Sequence, residues 1–125
     1  MKTNSQQVSH DSAWKDVIEE LFEDFLAFFF PAMCADIDFS KGYTFLDKEL
    51  QKIIDRDEIG KRYADKLVKV YLKSGTEKWL LIHIEVQGYK EKNFSERIFI
   101  YTYRIFNRYN KEVVSAVILT DPDPD

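Results

Sequence analysis

A chain of 125 residues, 45% of them hydrophobic and 15% aromatic, has the length of one domain and can bury a core without disulfides or a structural metal. Its 22 acidic and 18 basic residues give a net charge of −4, which argues against binding nucleic acid through non-specific phosphate contacts alone. The single cysteine, Cys34, excludes an intramolecular disulfide and a cysteine zinc cluster. No basic stretch is followed by an apolar run of signal-peptide type, and the apolar segment Phe25 to Phe30 is far too short to span a bilayer. The expectation is a cytoplasmic protein without a membrane partner.

Residues 1–9 are polar and aperiodic and read as a flexible lead-in, with residues 10–125 forming a single domain. From Ser12 to about Phe30 the spacing of Trp14, Val17, Ile18, Leu21, Phe22, Phe25, Leu26 and Phe29 predicts a long helix. Ser12 serves as its N-cap and Pro31 stands at its end. Asp16, Glu19, Glu20, Glu23 and Asp24 fall on the outward face, where carboxylates are ordinarily just solvated. Residues 31–42 read as a loop or short helical turn, Tyr43 to Leu46 as a short strand, and residues 51–61 carry little signal.

The middle of the chain is more legible. Ala64–Leu72 and Trp79–Val86 are rich in β-branched and aromatic residues and flank Ser74-Gly75-Thr76, a hairpin signal. Asn93, with Glu96 three residues on, starts a second helix whose inner row is Phe94, Ile98, Tyr101, Ile105 and Arg108. Val113 to Leu119 is a continuous apolar run, as in a buried strand reached by a crossover, which predicts a mixed sheet. The order is helix, three strands, helix, strand. Ending at Asp121-Pro122-Asp123-Pro124-Asp125, just after an interior strand, reads as C-terminal truncation.

Chemistry concentrates in the hairpin. With Gly75 at the centre of the turn, Asp65 lies opposite Glu85, Leu67 opposite His83, Lys69 opposite Leu81 and Tyr71 opposite Trp79. Two opposed carboxylates repel unless a cation lies between them, and Gln87 shares their face. Hard oxygen ligands of this kind suit Mg²⁺ or Mn²⁺, which activate water and stabilise charge on a phosphoryl oxygen. On this reading Asp65→Ala stabilises the metal-free fold slightly. The plainer alternative is an edge-strand charge pattern neutralised by Lys66, Lys69 or Arg62. A two-residue turn would put the two carboxylates on opposite faces.

His10-Asp11-Ser12-Ala13-Trp14-Lys15, Lys61-Arg62-Tyr63-Ala64-Asp65, His83-Ile84-Glu85-Val86-Gln87 and Phe94-Ser95-Glu96-Arg97 follow one another in a telling order. Together they resemble the recombination-promoting nuclease and transposase-like family of the PD-(D/E)XK nuclease superfamily, over roughly residues 10 to 122. Phe45-Leu46-Asp47-Lys48-Glu49-Leu50 looks like a subset of that family with a further C-terminal domain. The resemblance implies an α/β (α+β) fold with a restriction-endonuclease-like αβββαβ core, a mixed sheet flanked by helices. It implies a metal-dependent DNA endonuclease that leaves a 5′-phosphate and a 3′-hydroxyl. Asp65 and Glu85 would hold the ion with the carbonyl of Val86 beside them, and Gln87 would orient water where the superfamily has Lys. Lys69 or Lys15 could then assist as the missing cation. Asp11 is the favoured acid of the first helix, with Glu19, Glu20, Glu23 and Glu49 as further candidates.

The other readings are weaker. His83 is expected to pack beside Leu67 rather than relay protons. Phe99, Tyr103 and Phe106 form a stripe suited to core packing, to a homodimer face or to base stacking. Arg97, Arg104 and Arg108 would contact phosphates or pair with Glu96 and Glu112. There is no nucleophile elbow and no Gly-rich phosphate loop. The rival function is a non-catalytic interaction or DNA-binding module that keeps the nuclease fold.

Overall fold

The computed structural model describes residues 13–54, 63–85 and 94–119. The proposed caps Ser12 and Asn93, the lead-in and the terminal Asp-Pro repeat lie outside the described residues.

The predicted first helix is there, but in two pieces, α1 (residues 13–20) and α2 (Phe22–Phe29), broken at Leu21. Leu21 leaves helical geometry at φ −123° and ψ 40°, while bonds from Leu21 N to Val17 O (2.9 Å) and from Phe25 N to Leu21 O (2.7 Å) carry the ladder across. Ile18, Phe22, Phe25 and Leu26 are buried, whereas Val17, Leu21 and Phe29 sit exposed at the margin. The apolar row is wider than the surface it covers. Phe30 breaks the chain again, and α3 (Pro31–Asp36) starts with proline at its first position. Proline disfavours helical geometry in the residue before it and lacks only an N–H that a first turn would leave open anyway.

After a 3-10 turn at Phe39–Lys41, β1 (Thr44–Phe45) runs antiparallel to β2 (Tyr63–Tyr71), and α4 (Asp47–Gln51) leaves from its end. β2 pairs antiparallel with β3 (Glu77–Glu85), as the hairpin signal predicts. The register differs from expectation by two residues. Asp65 faces His83, Leu67 faces Leu81, Lys69 faces Trp79, and Tyr63 faces Glu85. The reason is the loop. Leu72 N bonds Thr76 O and Gly75 N bonds Leu72 O, both at 2.8 Å, so Lys73-Ser74-Gly75 is a three-residue turn centred on Ser74. Gly75 is its last residue, at φ +96°, the position where such turns need a left-handed backbone. A shift of two preserves parity, so Asp65 and Glu85 keep same-face register positions, offset diagonally rather than directly opposed.

The second helix, α5 (Phe94–Tyr109), carries the chain to β4 (Val113–Leu119), which lies parallel to β3. The sheet is thus mixed, ordered β1-β2-β3-β4. Strand alternation divides its residues between two cores. Val68, Val70, Leu80, Ile82, Ile84 and Ala116 pack with Ile18, Phe22, Phe25 and Leu26. Leu67, Trp79 and Leu81 pack on the other face with Tyr101 and Ile105 of α5 and with Leu46, Leu50 and Ile53 around α4. The fold is α+β, a helix-covered sheet in which Asp65, Leu67, Trp79, Leu81 and His83 lie on the α5 side.

Candidate functional site

Asp65 and His83 are direct cross-strand partners on the α5 side of the sheet. Such pairs bring Cβ atoms within about 5 Å. Here Nδ1 of His83 lies 2.5 Å from Oδ1 of Asp65. Arg97 reaches the same imidazole from the first turns of α5, with Nη2 3.0 Å from Nε2 and 3.2 Å from Nδ1. The cluster is withdrawn from water: His83 is 0% exposed, Arg97 4%, and the Asp65 side chain 6%.

Donor and acceptor chemistry fixes the direction of these bonds. A carboxylate accepts, so Nδ1 of His83 carries the ring hydrogen and donates it to Asp65. Guanidinium only donates, so of the two ring nitrogens near it Nη2 of Arg97 has Nε2 as its acceptor. Cation, imidazole and anion form a directed chain from α5 across β3 to β2.

The expectation that His83 merely packs beside Leu67 is corrected by this arrangement, and Arg97 is buried against the same imidazole. The available signal was parity: His83, Asp65 and Glu85 share a strand face under any even register. The buried arginine had a signal too: Arg97 stands three residues after Phe94 and four before Tyr101, on the inner row of the second helix.

Glu85 closes β3 opposite Tyr63, two positions past His83. Its side chain, together with Val86, Gln87 and Asp11, lies outside the described residues. The other first-helix acids do not approach Asp65. Glu20 and Glu23 are exposed, while Glu19 and Asp47 bind the buried ammonium of Lys66 on the opposite face, Asp47 at 2.8 Å. Lys66 also lies 4.9 Å from the centroid of the Phe45 ring. Lys66 therefore serves α1 and α4 and does not neutralise Asp65.

The remaining α5 residues also find different neighbours from those expected. Arg104 donates to the carbonyl of Ile53 at 2.7 Å, and Arg108 lies 5.7 Å from the ring centroid of Tyr109. Phe99 is 70% and Tyr103 60% exposed, which removes them from the core.

Among the described residues no three His, Cys, Asp or Glu side chains gather into a metal-holding group. Of the ligands expected from sequence, the side chain of Asp65 alone falls among the described residues, and its oxygens are of the hard kind that Mg²⁺ and Mn²⁺ take. Asp65 offers carboxylate oxygen, and its bond from His83 is the sort of outer support that ligating carboxylates receive. No described helix is long and apolar enough to cross a membrane. Comparison with protein-family models, curated proteins and solved structures gives no match.

Proposed function

We propose that this chain is a Mg²⁺- or Mn²⁺-dependent phosphodiester hydrolase acting on DNA, with the restriction-endonuclease-like core that its motifs resemble. One observation carries the reading. The even β2–β3 register gives Asp65 and Glu85 same-face positions on neighbouring strands at one end of the sheet. In this reading Asp65 and Glu85 hold the ion beside the carbonyl of Val86, and Asp11 is the acid contributed by the first helix. The ion, when bound, would activate water and stabilise charge developing on phosphoryl oxygen. Gln87 orients the attacking water by hydrogen bonds, without the charge a lysine would bring. Burial around Asp65 excludes bulk water and strengthens every charge interaction there.

Metal-dependent nicking of plasmid DNA tests this. Asp65→Asn and Glu85→Gln keep side-chain shape but remove ligand charge. Each should cost more than the roughly 10–100-fold lost when a ligand's outer partner is removed. Gln87→Lys should retain or raise activity, and Gln87→Ala should slow it with little change in metal affinity. Equal nicking by wild type and Asp65→Asn would refute the assignment.

A second reading, a non-catalytic binding module, is favoured by a different observation. The Asp65 carboxylate is 6% exposed and already engaged by His83, as in a structural bolt between strands. Absence of metal-dependent nicking in every variant, with fold intact, would favour it.

A further inference from the structure

We infer that His83 and Arg97 are positioning residues for Asp65, an inference that rests on the metal-site reading above. A carboxylate on a strand can rotate about two side-chain bonds, and a ligand must present one oxygen in a fixed direction. His83 removes that freedom by donating from Nδ1 to Oδ1 of Asp65 at 2.5 Å. His83 is itself fixed. Its ring is fully buried, and Nη2 of Arg97 lies against it, 3.0 Å from Nε2 and 3.2 Å from Nδ1. Because Arg97 belongs to α5, the seating of that helix on the sheet determines how the Asp65 carboxylate is held. Partners of this outer kind typically change metal affinity by 10–100-fold when lost.

The test separates the hydrogen bond from the bulk of the ring. Asparagine carries its amide nitrogen near the place of imidazole Nδ1, whereas glutamine carries it near Nε2, away from Asp65. Isothermal titration of Mn²⁺ into the full chain compares wild type, Asp65→Asn, His83→Asn, His83→Gln and Arg97→Met, with circular dichroism and melting curves alongside. The expected result is Mn²⁺ binding by wild type and none by Asp65→Asn. His83→Asn should keep the affinity, and His83→Gln and Arg97→Met should weaken it roughly 10–100-fold. A folded His83→Gln that binds like wild type overturns the inference while leaving the metal site standing. Equal weakening by the asparagine and glutamine variants, tracking their loss of melting temperature, also overturns it, since His83 would then be packing alone. Failure of wild type to bind Mn²⁺ removes the metal reading and this inference together, and appears in a different arm.

Ring nitrogen shifts of wild-type His83, measured by NMR, give a readout that no unfolded variant can obscure. The chain has two histidines, so a His10→Asn variant assigns the signals. Hydrogen on Nδ1 is expected. Hydrogen on Nε2 would overturn the inference.

Discussion

Lys66 and Asp65 are neighbours in sequence and opposites in setting. The ammonium of Lys66 is buried at 3% exposure, but its partners Glu19 and Asp47 keep 43% and 49% of their side chains in solvent. The desolvation cost therefore falls mainly on the lysine, and the carboxylates are compensated by water whether or not it is present. Lys66→Met, which removes the buried charge and keeps an unbranched side chain, should change folding stability by less than about 1 kcal/mol. The double variant Glu19→Gln/Asp47→Asn leaves the ammonium buried without an anion and should cost about 3–5 kcal/mol. Urea unfolding at neutral pH measures both, and equal losses would contradict this asymmetry. From sequence, Lys66 looked like a counter-charge for Asp65. Alternation along β2 sends consecutive residues to opposite faces, so the nearest cation in sequence is unavailable in space.

At the scale of elements, composition and periodicity revealed the two long strands, α5 and the crossover to β4, because each buries a row of apolar residues at its own period. The break at Leu21 was not legible, since periodicity reports which residues seek a core and not how much core there is. The hairpin register was missed by two residues for a related reason: Gly75 signals a left-handed residue, which need not be the centre of the turn. At φ +96°, Gly75→Ala should destabilise by at least about 1 kcal/mol, whereas Ser74→Ala, at the exposed tip, should stay within about 0.5 kcal/mol. Thermal melts compare them directly. The start of β3 carries a pH-dependent tie as well. Glu77 accepts from Nε1 of Trp79 at 2.8 Å and meets Nζ of Lys111, which precedes β4, at 3.1 Å. The bond from Trp79, then that from Lys111, holds its carboxyl below the ordinary glutamate range. With the folded value depressed, the stabilisation is fully present above the unfolded value of about 4.3 and is lost as pH falls through the folded one. Glu77→Gln should therefore lower stability at neutral pH and converge with wild type in acid. Denaturant midpoints taken from pH 7 to pH 2 decide this, and a constant difference would contradict it.

For the molecule as a whole, the proposed metal site would couple function to folding stability. An ion that binds only the folded chain stabilises it by about 2.7 kcal/mol at a hundredfold excess over its dissociation constant. In a domain of this size that is a rise in melting temperature on the order of 10 °C. Millimolar Mn²⁺ or Mg²⁺ should produce such a rise in wild type and none in Asp65→Asn. The metal-free comparison reverses an expectation drawn from sequence, where relief of carboxylate repulsion would make Asp65→Ala stabilising. In the fold Asp65 does not face Glu85 directly but accepts from His83, which is buried against Arg97. Truncating the carboxylate removes a hydrogen bond to a charged acceptor, a loss of about 1.5–3 kcal/mol. Asp65→Ala should therefore melt below wild type without metal, while Asp65→Asn, which keeps an acceptor oxygen toward His83, should melt closer to it. Both should ignore added metal. Melting curves of the three proteins, with and without Mn²⁺, keep the two effects apart: the metal-free order reports the Asp65–His83 bond, and the metal response reports the ion. An Asp65→Ala protein that outmelts wild type without metal would show that repulsion, not the hydrogen bond, governs this end of the sheet.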